Sequence, residues 1–166
     1  MKLLGEIGRE ELTRLLSRFG LRLVETPPGE EIPGSYWGES EAGLVGDEIH
    51  GRADTPLHSV LHEASHYVCM TASRRASLLR DAGGDDAEES AVCYLQILLA
   101  DHLPGIGSAR ICLDMDRWGY SFPRGSTLAW LETDSEDARA WLLAHGLIDE
   151  NGVPMWKVRE GSCDNE

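Results

Sequence analysis

Leu61-His62-Glu63-Ala64-Ser65-His66-Tyr67-Val68 sets two histidines four residues apart around a glutamate, inside a run with no other charge. On a helix, positions i and i+4 lie one above the other on the same face. His62 and His66 can therefore offer two imidazole nitrogens to one metal ion. Glu63, one step round the helix, can reach a water in the ion's open position and serve as its general base. Thr55 before Pro56 predicts where this helix starts, with the threonine as N-cap and the proline as first helical residue. The uncharged neighbours Val60, Leu61, Ala64, Ser65 and Val68 suit a helix buried in a core. The competing account is plain packing, in which the two histidines only hydrogen-bond to their neighbours.

Around this stretch the chain reads as one domain. Its 166 residues are enough to bury a proper core, with a single domain expected over 1–160 and a frayed tail over 161–166. A formal charge of −14 argues against a nucleic-acid partner, which requires clustered Lys and Arg. Arg74-Arg75 and Arg14 with Arg18 have no interleaved aromatics and read as helix surface. Charges at Lys2 and Glu6 interrupt the amino terminus before any apolar run develops, and no stretch is long enough to cross a bilayer. A cytoplasmic protein with no membrane partner is expected. Cys69, Cys93, Cys112 and Cys163 include no C-x-x-C pair, so reduced cysteines are expected rather than a knuckle or a disulfide framework.

The hydrophobic pattern predicts an α+β fold, mostly helical, with a small sheet before the histidine helix. Leu3, Leu4, Ile7, Leu12, Leu15, Leu16 and Phe19 keep near-helical spacing over 2–19, and Gly20 supplies a stop. Leu21 to Val24 alternates as a short strand, and 26–38 reads as a loop with three prolines. The stretch 43–51 reads as a hairpin or edge strand running into the histidine helix, and such a strand can pair with an extended peptide. Arg74 to Arg80 suggests a short helix closed by Ala82-Gly83-Gly84. A stronger helix follows from about Asp86 to His102, with acids in its first turn. Further helices are expected near 108–117, 126–132 and 135–145, the last capped by Asp134, and Asn151-Gly152 signals a late hairpin.

A catalytic zinc needs a third protein ligand. A histidine six residues after His66, as in metzincins, is ruled out because Ala72 stands there. A glutamate from a later helix is the gluzincin solution, and Glu88 and Glu89 open the next strong helix. Glu88, Ala91, Leu95 and Leu98 form an i, i+3, i+7, i+10 stripe that should point inward, which favours Glu88. Glu89 shares its phase with Val92, Cys93 and Gln96, a more mixed face, and is the alternative. Both can also be first-turn acids that merely complement the helix dipole.

His62-Glu63-Ala64-Ser65-His66, followed by Glu88-Glu89-Ser90-Ala91-Val92-Cys93-Tyr94-Leu95-Gln96-Ile97-Leu98-Leu99, resembles the core of ImmA/IrrE-type gluzincin peptidases. That family carries H-E-x-x-H and then a helix of the form E-x-x-A-x-x-aromatic-x-x-x-L-L. The resemblance covers roughly 56–100. It implies Zn²⁺ on His62, His66 and Glu88, catalysis by Glu63, and a peptide or protein substrate. Val92 replaces a residue usually polar in the family, and Asp101 one that is often proline. The expected function is thus a zinc-dependent hydrolase, a metallopeptidase. The alternative is a zinc-stabilised binding or regulatory domain that keeps the fold and cleaves nothing. His58 extends the histidine ladder one turn back. Asp54, Asp85 and Asp86 are candidate acceptors for the ligand imidazoles. Tyr67, Tyr94, Tyr120, His102 and Arg124 are candidates for stabilising an oxyanion. Tyr36-Trp37 and Trp118 to Phe122 read as core or cleft wall.

Overall fold

The computed structural model describes residues 1–35, 39–77 and 84–160. Tyr36-Trp37, the end of the short helix at Arg80, Ala82-Gly83, Cys163 and the tail over 161–166 lie outside these. The described residues form an α+β, mostly helical domain. A 3-10 turn, Leu4–Glu6, leads into α1 (Arg9–Ser17), then β1 (Arg22–Glu25), β2 (Gly43–Val45) and β3 (Glu48–Gly51). The helices α2 (Leu57–Cys69), α3 (Ala72–Ser77), α4 (Asp86–Ala100), α5 (Gly107–Trp118), α6 (Thr127–Thr133) and α7 (Glu136–Ala144) follow. Among the described residues no helix is long and apolar enough to cross a membrane.

The first amphipathic run is split. Gly8 is extended at φ −67, ψ 113 and starts α1, so the apolar spacing over 2–19 serves a turn and a helix rather than one helix. Gly20 has φ +80 and stops α1 as its sequence position suggested. The sheet has order β1-β3-β2, with β1 parallel and β2 antiparallel to β3. The strand entering the histidine helix is therefore the middle strand, and the edge belongs to β2. Pro33 and Gly34 pack so tightly on Gly43 that a Cβ there would stand 1.9 Å from the Pro33 carbonyl oxygen.

One apolar core joins these layers. Leu12, Leu16, Leu44, Ile49, Leu57, Leu61, Leu95 and Leu99 are all buried in it, along with Cys69, Cys93 and Cys112 as free thiols. Helix α2 packs most extensively against α4. Its start lies one residue later than the sequence suggested. Pro56 is the N-cap, and the buried Thr55 turns its hydroxyl back to accept from the Arg52 amide at 2.8 Å. The backbone of the amino-terminal segment holds this end, with Leu57 N donating to Lys2 O at 2.9 Å and Leu4 N to Thr55 O at 2.7 Å. Ser135, not Asp134, is the N-cap of α7; Asp134 ends α6 and pairs with Arg124. The Asn151-Gly152 turn is closed by the isolated bridge Ile148–Pro154 rather than by a hairpin of strands.

Candidate metal centre

One turn of α2 separates His62 from His66, and their rings stand edge to face with centroids 4.6 Å apart. Both present Nε2 to the same side chain. That side chain is Glu89, not Glu88: His62 Nε2 lies 3.2 Å from Glu89 Oε1, and His66 Nε2 lies 3.3 Å from Glu89 Oε2. One donor atom from each of the three residues falls within 4.8 Å of the others. Zinc holds such atoms at about 2.0–2.2 Å, and tetrahedral angles at that radius put neighbouring donors roughly 3.3–3.5 Å apart. The two histidine–glutamate separations are close to that value, and two imidazoles with one carboxylate form a donor set that could hold a metal ion. The histidine side chains are 16% and 11% exposed and Glu89 is 48% exposed, so the cluster is walled by protein and open on its glutamate side.

Glu88, which the sequence pattern favours as third ligand, stands outside the cluster, and Glu89, the alternative, stands in it. Glu88 is 3% exposed and faces away from the histidines, into a buried ion-pair cluster. Arg74 grips it through Nη1 at 2.9 Å and Nη2 at 2.5 Å, and Arg159 Nη1 adds a third contact at 3.2 Å. Gly84, at φ +100, folds over this pair so closely that a Cβ would stand 2.3 Å from Glu88 Oε2. Arg159 also donates to the Cys69 carbonyl, and Arg75 to those of Tyr67 and Met70. The carboxyl end of α2 is thereby tied to α4 through Arg159 and Glu88. That tie fixes the rotation of α4 and turns Glu89, about 100° further round, towards His62 and His66.

Behind the cluster lies a polar layer. His62 Nδ1 stands 2.8 Å from Gln96 Oε1, while Gln96 Nε2 donates to the His58 carbonyl at 2.8 Å and to the Tyr120 hydroxyl at 3.2 Å. The acceptor for His62 is thus Gln96, and none of the three aspartates first considered. Asp54 pairs with Arg52, and Asp85 caps α4 by accepting from the Glu88 amide at 2.9 Å. The signal for Gln96 was its place on the mixed face with Glu89 and Cys93. Of the five possible oxyanion partners only Tyr120 lies here, its ring 5.7 Å from that of His62. Its hydroxyl is turned to Gln96 and to His58 Nδ1 at 3.3 Å. Tyr67 lies under Arg75, Tyr94 against Trp130, His102 against Trp156, and Arg124 pairs with Asp134. Glu63 is half-buried, and its charge reaches Tyr120. Glu41, which leads into β2, feels the charge of His62 and accepts a hydrogen bond from Trp118, although burial raises its carboxyl overall.

Burial opposes a charge on His62, but Tyr120, Cys93 and Glu89 outweigh it and hold the metal-free imidazole well above its ordinary pKa. Burial likewise opposes the Glu89 charge, and His62 and His66 reverse it, holding the carboxyl low. His58 behaves oppositely. Its burial, then the nearby His62 charge, push it down to about 4, with Asp114 pulling weakly the other way. Its Nε2 is buried with no partner among the described residues. In the unfolded chain it titrates near 6.5, so the unfolded state binds more protons between these values. Its contribution is fully present above about pH 6.5 and is lost as pH falls through about 4. A difference on the order of 3 kcal/mol is expected. Urea unfolding of metal-free protein from pH 7 to 4 should show this acid limb, and His58→Gln should flatten it. An unchanged limb would place the titrating group elsewhere.

No family model, curated protein or solved structure matches the chain.

Proposed function

We propose that the protein is a zinc-dependent hydrolase of the gluzincin type, acting on peptide bonds, with His62, His66 and Glu89 as the metal ligands. The observation that carries this is the donor spacing. Three side chains from two helices bring donor atoms within 4.8 Å of one another, the two histidine–glutamate pairs at 3.2 and 3.3 Å, and they do so on the sequence pattern H-E-x-x-H. Bound zinc would polarise the scissile carbonyl and acidify a water to a pKa of about 7. Glu63, one residue round α2 from His62, takes the proton from that water and passes it to the leaving amine. A peptide substrate is what the H-E-x-x-H pattern implies. Glu41, which leads into β2, lies in the electrostatic reach of His62, and Trp118, 37% exposed, offers an apolar wall beside it.

Two measurements test this. Metal content should be near one zinc per chain in the wild type and fall sharply in His62→Ala and His66→Ala; retention of zinc in both would remove the site. On a peptide library, Glu63→Gln should keep zinc and fold but lose about 10²–10⁴ in rate, the usual scale of general-base catalysis. An activity indifferent to Glu63→Gln would instead favour a zinc-stabilised binding domain.

A further inference from the structure

With zinc on His62, His66 and Glu89 as proposed above, we infer that Gln96 is the positioning residue that sets the His62 tautomer and thereby makes Nε2 the ligand atom. The assignment follows from hydrogen-bond logic. A backbone carbonyl can only accept, so the Gln96 atom 2.8 Å from the His58 carbonyl must be the amide nitrogen. The second hydrogen of that nitrogen goes to the Tyr120 oxygen at 3.2 Å. The Gln96 oxygen is then the atom 2.8 Å from His62 Nδ1, and it too can only accept. With zinc on Nε2 in place of the Glu89 contact at 3.2 Å, His62 carries its one proton on Nδ1, where the Gln96 oxygen accepts it. Gln96 is fully buried, so no water competes for its amide.

The partner is an uncharged amide, where many metal-bound histidines meet a carboxylate. An amide orients the ring without making it as basic, so the ligand donates less charge and the ion keeps more of its power to polarise. Tyr120 and the His58 carbonyl hold the amide in turn. His58 contributes through its main chain one helical turn before His62, which ties the tautomer to the continuity of α2.

Zinc dissociation constants by chelator competition, together with metal-free melting temperatures, test this on wild type, Gln96→Met, Gln96→Glu and Tyr120→Phe. Both Gln96 variants should lose thermal stability, because the His58 carbonyl loses its side-chain donor. Only Gln96→Met should lose affinity, by about 10–100-fold, since Gln96→Glu keeps an acceptor against Nδ1. Tyr120→Phe should weaken zinc only a few-fold. A purely structural Gln96 would make affinity follow stability in both variants, and unaltered affinity in Gln96→Met would equally overturn the proposal. In ¹⁵N-histidine protein loaded with ¹¹³Cd, coupling should appear at Nε2 of His62; coupling at Nδ1 would refute it. If wild type takes up no metal, the zinc site fails by itself, and the tautomer is then read from ¹⁵N shifts of metal-free Glu89→Ala protein at alkaline pH, where no carboxylate competes for Nε2. There a proton on Nδ1 supports the assignment and one on Nε2 overturns it.

Discussion

Replacing Glu89 with Ala should strip the protein of zinc while leaving its fold almost untouched. Three donors are the minimum that holds a catalytic zinc with one position open, and the variant leaves two. The loss should exceed the roughly 10–100-fold that follows removal of a group merely supporting a ligand. Stability of the metal-free chain should change by about 1 kcal/mol or less, because the Glu89 side chain is half exposed and its ion pairs with the histidines face solvent. Inductively coupled plasma analysis after dialysis, with circular dichroism melting in parallel, separates the two effects. A Glu89→Ala protein that still carries stoichiometric zinc would require a third ligand other than this carboxylate.

Two of the three clustered side chains are legible in the sequence, and the third stands one residue beyond the one its pattern favours. His62 and His66 were legible because helical spacing is local: one turn of backbone stacks the two rings whatever the rest of the chain does. The third side chain of the cluster comes from α4, and there the inward stripe of Ala91, Leu95 and Leu98 points to Glu88. That stripe does mark the buried side, and Glu88 is buried. A metal ligand, however, has to face a cleft, and a cleft face is mixed in polarity. Glu89, Cys93 and Gln96 form that face. A fully buried glutamine two turns beyond a glutamate is the feature that distinguishes it. What holds Glu88 was not legible at all, since Arg159 arrives from 71 positions away.

The same division between local and distant causes runs through the fold. Gly20, at positive φ, ends α1 at the place its sequence position implied. Gly8 was missed because a glycine inside an apolar rhythm reads as tolerated, whereas the contacts of Leu4 and Gly5 with Thr55 and Ala53 pull the first turn out of line with α1. Those contacts belong to the start of α2. Thr55 was taken for its cap on composition, but its hydroxyl closes the preceding turn with Arg52 instead. In the first case backbone hydrogen bonds to a distant segment, and in the second a local bond to the Arg52 amide, outweighed a preference of about 1 kcal/mol.

Glu88→Ala, in contrast to Glu89→Ala, should act on stability rather than on the metal. It removes the carboxylate that stands between Arg159, whose side chain is 5% exposed, and Arg74, at 23%. Removing one partner of a buried ion pair typically costs about 3–5 kcal/mol, because the remaining charge has been desolvated and is no longer paired. Against a total stability of roughly 5–15 kcal/mol for a domain, that loss is large, and a fall in melting temperature of about 6–20 °C follows for a chain of this size. Arg159 also holds the carboxyl end of α2, so the loosened cluster should let α2 and α4 slip relative to each other. Any drop in zinc affinity should then be small at low temperature and grow on warming. Glu88→Gln, which keeps two polar atoms between the arginines, should recover part of the stability. The assignment would be reversed by a Glu88→Ala protein that melts like the wild type yet holds no zinc at any temperature. Glu88 would then be the ligand, and α4 would have to turn by one residue.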